Sequence, residues 1–286
     1  MSYQIITDSG CDLSLSMYEK LGVPVVPLCL NFRGAEHRDL SEGFIKTLYN
    51  AMRDGETAST AAVNPSEWAA VIEPVLASGK DVLVMAFSSG LSTTYQSAVI
   101  ASQELMEKYP QRTVKVVDTL CASRGQGMLV WLACKKQNEG LSLEELYQWC
   151  ESHKLNMCHW FTVDDLVYLK RGGRVSAATA LLGTMLNIKP VLHVDNEGHL
   201  ISMGKVRGRK ASIEAIAKKM GETGLPGENE TVFICHGDCI EDAQLLEKLV
   251  REKYGVKEVL TFYTGAVIGS HSGPGTLAFF FLGNKR

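Results

Sequence analysis

Short β-branched runs alternate with stretches of helical period along this chain, and that alternation confines it to α/β architecture with a mainly parallel sheet. Gln4–Thr7 is a brief strand-like run that stops at Asp8-Ser9-Gly10. Asp81–Phe87 is almost continuously apolar, as expected of a strand covered on both faces. Val114–Val117 is another such run and ends at Asp118. Val23–Leu30 also reads as strand, with Pro24 and Pro27 pushing it toward an edge. Helices fill the gaps. Ser41 and Glu42 precede Phe44, Leu48 and Met52 at helical spacing, and Pro65 opens a helix carrying Trp68, Val71, Ile72 and Val75. Ser97–Lys108 and Gly127–Lys136 are similar, and Ser142-Leu143-Glu144-Glu145 has the form of a capping box.

The texture changes after His153. Cys158–Val163 reads as strand, and Val191–Val194 and Leu200–Met203 flank Asp195-Asn196-Glu197-Gly198, a hairpin turn. Thr231–Cys235, Val259–Tyr263 and Leu277–Phe281 are further strands, with helices over Arg209–Gly221 and Ile240–Tyr254. A hairpin implies a mixed sheet here. The expectation is two α/β lobes: an N-terminal Rossmann-like lobe over residues 1–157 and a C-terminal mixed-sheet lobe over 158–286.

The 286 residues carry a formal net charge of −3, which gives no electrostatic case for nucleic acid or an anionic membrane. Basic residues cluster only at Lys170, Arg171 and Arg174 and again from Lys205 to Lys210. The longest apolar run, Met128–Cys134, is far below the roughly 20 residues a membrane span needs. Met1 to Asp8 is too short and polar for an export signal, so a cytoplasmic protein without stable membrane insertion is expected. Without such a signal the eight cysteines read as small buried hydrophobes. Cys235-His236-Gly237-Asp238-Cys239 lacks a second ligand pair, so no metal is expected.

Four polar loop clusters carry the chemistry. In Asp8-Ser9-Gly10-Cys11-Asp12-Leu13, Asp12 is placed to cap the next helix and Asp8 to orient a neighbouring loop. In Phe87-Ser88-Ser89-Gly90-Leu91-Ser92-Thr93-Thr94-Tyr95, a buried strand runs into hydroxyls and a helix N-terminus, which suits a carboxylate or phosphate as well as a plain N-cap. The Gly spacing and Lys of a P-loop are missing. Thr57 to Pro65 reads as a solvated loop in which Thr60 is a second hydroxyl donor. In Ile268-Gly269-Ser270-His271-Ser272-Gly273-Pro274-Gly275-Thr276, His271 sits in a Gly/Pro loop and is the histidine with a functional setting; His37, His153 and His199 read as surface residues.

Taken in order, the motifs resemble the DegV family of fatty-acid-binding proteins over essentially the whole chain. They are Asp8-Ser9, Ser88-Ser89-Gly90-Leu91-Ser92 with Tyr95-Gln96-Ser97-Ala98, Val117-Asp118-Thr119, and Gly125-Gln126-Gly127. They continue through Leu169 to Ser176, Ile188-Lys189-Pro190, Lys205-Val206-Arg207-Gly208 and His271-Ser272-Gly273-Pro274-Gly275-Thr276. The resemblance implies a long-chain fatty acid, of palmitate type, buried between the lobes. It implies carboxylate contacts from Thr60, Ser92 and His271, with Ser89, Thr93, Arg171 and Arg207 as candidates for a supporting ring. It also implies a non-enzymatic carrier without a cofactor, and a separate fatty acid kinase as partner. Ala61 stands after Thr60 where the family usually has Ser, and Thr93 after Ser92 where Gly is usual.

The tail would bring about 0.8 kcal/mol per buried methylene, so it sets most of the affinity and the head group sets orientation. Apolar residues of Thr179 to Ile188 and Leu277 to Leu282 are expected as lining. Lys170, Arg171, Arg174 and Arg207 suit either partner docking or, for Arg171 and Arg174, ion pairs between lobes. The alternative function is a serine esterase or thioesterase with Ser92 as nucleophile and His271 as base. Against it, Gly90-Leu91-Ser92-Thr93-Thr94 is not the Gly-x-Ser-x-Gly elbow.

Overall fold

The computed structural model describes residues 2–40, 43–175 and 187–286. The first half runs β1 (Tyr3–Asp8), α1 (Leu15–Leu21), β2 (Val25–Val26), β3 (Cys29–Phe32), β4 (Ala35–Arg38), α2 (Phe44–Arg53) and β5 (Ser59–Ala61). It continues with α3 (Pro65–Ala77), β6 (Asp81–Ala86), α4 (Thr94–Lys108), β7 (Val114–Asp118), α5 (Ser123–Asn138) and α6 (Leu143–His153). The second half runs β8 (Met157–Thr162), α7 (Val167–Arg171), β9 (Ile188–Val194), β10 (Leu200–Arg207) and α8 (Arg209–Thr223). It closes with β11 (Thr231–His236), α9 (Ile240–Tyr254), β12 (Glu258–Tyr263), α10 (Ala266–Ser272) and β13 (Leu277–Leu282).

The expected α/β class is what these elements build. One sheet is wholly parallel, in the order β2-β1-β6-β7. Its central β6 is buried at every residue, which is why Val82–Ala86 reads as an unbroken apolar run. A second sheet has six strands in the order β10-β9-β8-β13-β11-β12; β11 and β12 run parallel and the other neighbours antiparallel. The hairpin turn at Asp195–Gly198 joins β9 to β10 as expected. Helix α5 lies between the two sheets. Its Leu129 and Val130 share one core with Ile5 and Leu83 of the parallel sheet and with Phe233 and Phe280 of the mixed sheet.

Several local expectations change. The run Val23–Leu30 is not one strand: Val25–Val26 pairs with β1, and Cys29–Phe32 pairs with β4 and β5 in a separate three-stranded antiparallel sheet. Pro27 has no N–H to donate, so the run cannot carry a continuous ladder and breaks there. The segment around Thr60 is an edge strand of that small sheet, not a loop; Thr60 lies opposite Leu30. His271 lies within helix α10, not in a loop. Helix α5 starts at Ser123, ahead of Gly125 and Gly127, whose poor helix propensity hid its first turn. Asp12 does not cap α1; Ser14 does, by accepting from the Met17 N–H. The Asp12 carboxylate instead accepts from the Ser123 hydroxyl at 2.5 Å. Among the described residues no helix is long and apolar enough to cross a membrane.

Candidate functional site

A cavity of ≈ 430 Å³ opens where the two halves meet. The loops that follow β6 and β7 line it, as the topology of parallel sheets requires: ligand crevices form outside the carboxyl ends of such strands. Phe161, Ala278, Phe280 and Val194 form a buried apolar wall on the mixed-sheet side. Strand alternation explains the division of labour in β13. Ala278 and Phe280 face the cavity, while Leu277, Phe279 and Phe281 pack in the core with α8 and α9. So one face of Leu277–Leu282 lines the cavity. The other expected lining, Thr179 to Ile188, falls almost wholly outside the described residues.

Thr60, Ser92, His271 and Arg174 also border the cavity, and all four are partly exposed where the apolar wall is buried. The polar groups therefore mark its mouth. The Thr60 hydroxyl and His271 Nε2 are 2.8 Å apart. Burial, followed by the nearby Arg174 charge, lowers the His271 pKa from 6.5 to about 4, so the imidazole is neutral at ordinary pH. Gly172 explains how the ring fits. A Cβ there would lie 2.2 Å from His271 Nδ1, so α7 can end against the imidazole only with glycine at this position.

Ser92 reaches the same region by a different route. Its hydroxyl is 2.8 Å from the Thr94 hydroxyl, which in turn receives the Val63 N–H at 3.4 Å. Val63 is three residues beyond Thr60, so this chain of contacts draws the two hydroxyl-bearing segments together. The start of the Ser92 loop is fixed by Asp8, whose carboxylate accepts from Phe87 N at 2.7 Å and Gly10 N at 2.9 Å. That is the orienting role expected for Asp8. Burial there pushes its carboxyl up to about 7.

Among the surrounding candidates, Ser89 and Thr93 line the cavity, whereas Arg171 and Arg207 are exposed and do not. Arg174 does, and its Nε donates to the Leu91 carbonyl at 3.2 Å. It thus joins the halves through a backbone oxygen, and among the described residues it makes none of the ion pairs that were one of its two open roles. His37 and His153 are half-buried, stacked on Phe44 and Trp149, and only His199 is exposed. The nucleophile–base pair of the alternative esterase reading is not assembled: His271 meets Thr60, and Ser92 meets Thr94.

His159 is a cavity residue that sequence reasoning passed over, although alternation along Cys158–Val163 puts it on the same face as Phe161. Its Nε2 accepts from Ala122 N at 3.2 Å, which leaves Nδ1 as the donor to the Met157 carbonyl at 2.7 Å. Burial drives its pKa well below the ordinary value, so this wall residue is neutral and satisfied.

Fold and site together define a class: a two-lobed α/β protein with an apolar cavity between the lobes and a small polar cluster of Thr60, Ser92, His271 and Arg174 at its mouth. The chain belongs to the DegV family; the family model described as "Uncharacterised protein, DegV family" matches residues 2–284. A DegV domain-containing protein from Clostridium perfringens is 43% identical over 99% of this chain and 98% of its own. Two solved structures match throughout. A DegV family protein from Thermus thermophilus, described by its fatty acid binding, is 36% identical, with TM-score 0.88 over 99% of this chain and 100% of its own. A DegV lipid-binding protein from Thermotoga maritima is 31% identical, with TM-score 0.88 over the full length of both chains.

Proposed function

We propose that this chain is a non-enzymatic carrier of a long-chain fatty acid. The acid lies between lobes 1–157 and 158–286 with its tail against Phe161 and Phe280. Its carboxyl group meets Thr60, Ser92 and His271 at the mouth. The observation that carries the reading is the Thr60–His271 pair, 2.8 Å apart, at the exposed end of an apolar cavity. The resemblance to fatty-acid-binding DegV proteins supports it.

The two ends of the ligand use different physics. A palmitate-sized tail has about fourteen methylenes and would gain roughly 11 kcal/mol on burial, before ordering costs. A carboxylate buried without partners would cost several kcal/mol. Hydroxyls and a neutral imidazole offset that cost without an ion pair, which leaves the carboxyl exposed to a second protein. In this reading that protein is a fatty acid kinase, and carrier and kinase meet in the cytoplasm. The exposed Lys170, Arg171 and Arg207 supply a basic approach to an acidic partner surface. No cofactor or metal enters the scheme.

The test is a titration of delipidated protein with palmitate, followed by native mass spectrometry. One acid per chain is expected, and Thr60→Ala and Ser92→Ala together should weaken binding by about 1–3 kcal/mol. Unchanged affinity in the double variant would remove both residues from the site.

A further inference from the structure

The geometry points to Asp39 as a positioning residue for the head-group site, acting on His271 through the first turn of α10. The inference deepens the proposed function and rests on it only for its consequence on binding.

Helix α10 has seven residues, and a helix that short is marginal by itself, so its placement depends on tertiary anchors. It belongs to the second half of the chain yet packs against α2, β3 and β5 of the first. His271 therefore meets Thr60 of β5 only while α10 stays docked there. Asp39, just past the end of β4, makes the charged contact that holds the helix. Its Oδ1 accepts from Val267 N at 2.8 Å, a first-turn N–H with no partner within the helix. A carboxylate at that end is also favoured by the helix dipole.

The other side of Asp39 is fixed as firmly. Oδ2 accepts from the Ser9 hydroxyl at 2.8 Å, and Ser9 Oγ accepts from Leu28 N at 2.9 Å. Asp39 N donates to the Leu28 carbonyl at 3.1 Å. The carboxylate is thus tied to the chain entering β3, the strand that pairs with β5. Val267 and His271 are four residues apart and lie on one face of α10, and both line the cavity. A shift at Val267 is transmitted to the imidazole one turn away. Among the described residues no ion pair satisfies Asp39, and its two directed acceptors fit one donor from α10 and one from the first half of the chain.

The experiment follows the His271 ring by NMR in ligand-free protein and palmitate affinity in parallel, for Asp39→Ala, Asp39→Asn and Val267→Pro. Asn keeps an oxygen for Val267 N. Pro is tolerated in a first helical turn and deletes the donor, while Val267→Ala, which keeps the N–H, controls for the loss of the cavity-lining side chain. Asp39→Ala and Val267→Pro should each move or broaden the His271 signals and weaken palmitate about tenfold, with Trp68 signals unchanged and Asp39→Asn restoring most of both. Should Asp39→Ala fail to fold, Val267→Pro carries the same expectation. His271 signals unmoved in the folded variants overturn the inference, whatever the affinity. A wild-type protein that binds no palmitate overturns the proposed function, while the His271 signals still decide the role of Asp39.

Discussion

Thr60 and Ser92 stood out in the sequence because hydroxyls crowd the ends of apolar runs, where strands hand over to helices. Their joint approach to one cavity was legible only through the family resemblance and not from any local pattern. It depends on Thr94 bridging toward Val63, and on a helix from residues 266–272 bringing His271 to Thr60. The state of that histidine is testable by itself. Burial lowers its pKa to about 4 from the ordinary 6.5. As pH falls from 6.5 toward 4, the unfolded chain takes a proton there that the folded chain refuses, so this residue destabilises the fold progressively over that window and has no effect above it. An NMR titration of His271 should give a midpoint near 4, and an unshifted midpoint near 6.5 would mean that the mouth is wet. Arg174 shows the opposite failure of sequence reading. It looked interchangeable with Arg171, since a charge cluster does not say which member faces inward; the turn at Gly172-Gly173 decides, and it leaves Arg171 exposed.

At the level of elements, periodicity carried most of the α/β class. The long, capped helices and the buried β6 were readable because their signals are local: Asn64 and Glu67 form one capping box and Ser142 and Glu145 another. The small sheet of β3, β4 and β5 was not readable, because strands of three or four residues leave too few alternations to detect. That sheet positions Thr60, so the least visible element holds a central site residue. Helix α7 makes a sharper demand, since its C-terminal Gly172 abuts His271. Gly172→Ala should push the imidazole away from Thr60. A cost of about 1–3 kcal/mol is expected in urea denaturation, together with weaker fatty acid binding. Full stability with unchanged binding would show that the two elements are not in close contact.

For the whole molecule, the two halves are joined by more than a linker. Helix α5 shares its core with both sheets, and Ser88 Oγ donates to the Gly198 carbonyl at 2.9 Å across the hairpin turn. Arg286 adds a clamp. Its guanidinium donates to the carbonyls of Leu120 and Lys154 in the first half and of Met157 and Asp195 in the second, at 2.7–3.2 Å. Arg286→Ala removes a charged donor from four carbonyls at once and should cost on the order of 2–3 kcal/mol in denaturant unfolding. A loss below about 0.5 kcal/mol, the range of ordinary surface substitutions, would contradict the clamp. This long-range closure is the part of the architecture that no local pattern in the sequence announces.

The most direct measurement is a crystal structure with a long-chain fatty acid brominated at its ω carbon, read by anomalous scattering. The bromine should lie inside the cavity beside Phe161 and Phe280, with the carboxyl group in hydrogen-bond range of Thr60 and Ser92. Bromine at the protein surface, or a reversed chain with its carboxyl group buried beside His159, would contradict the account.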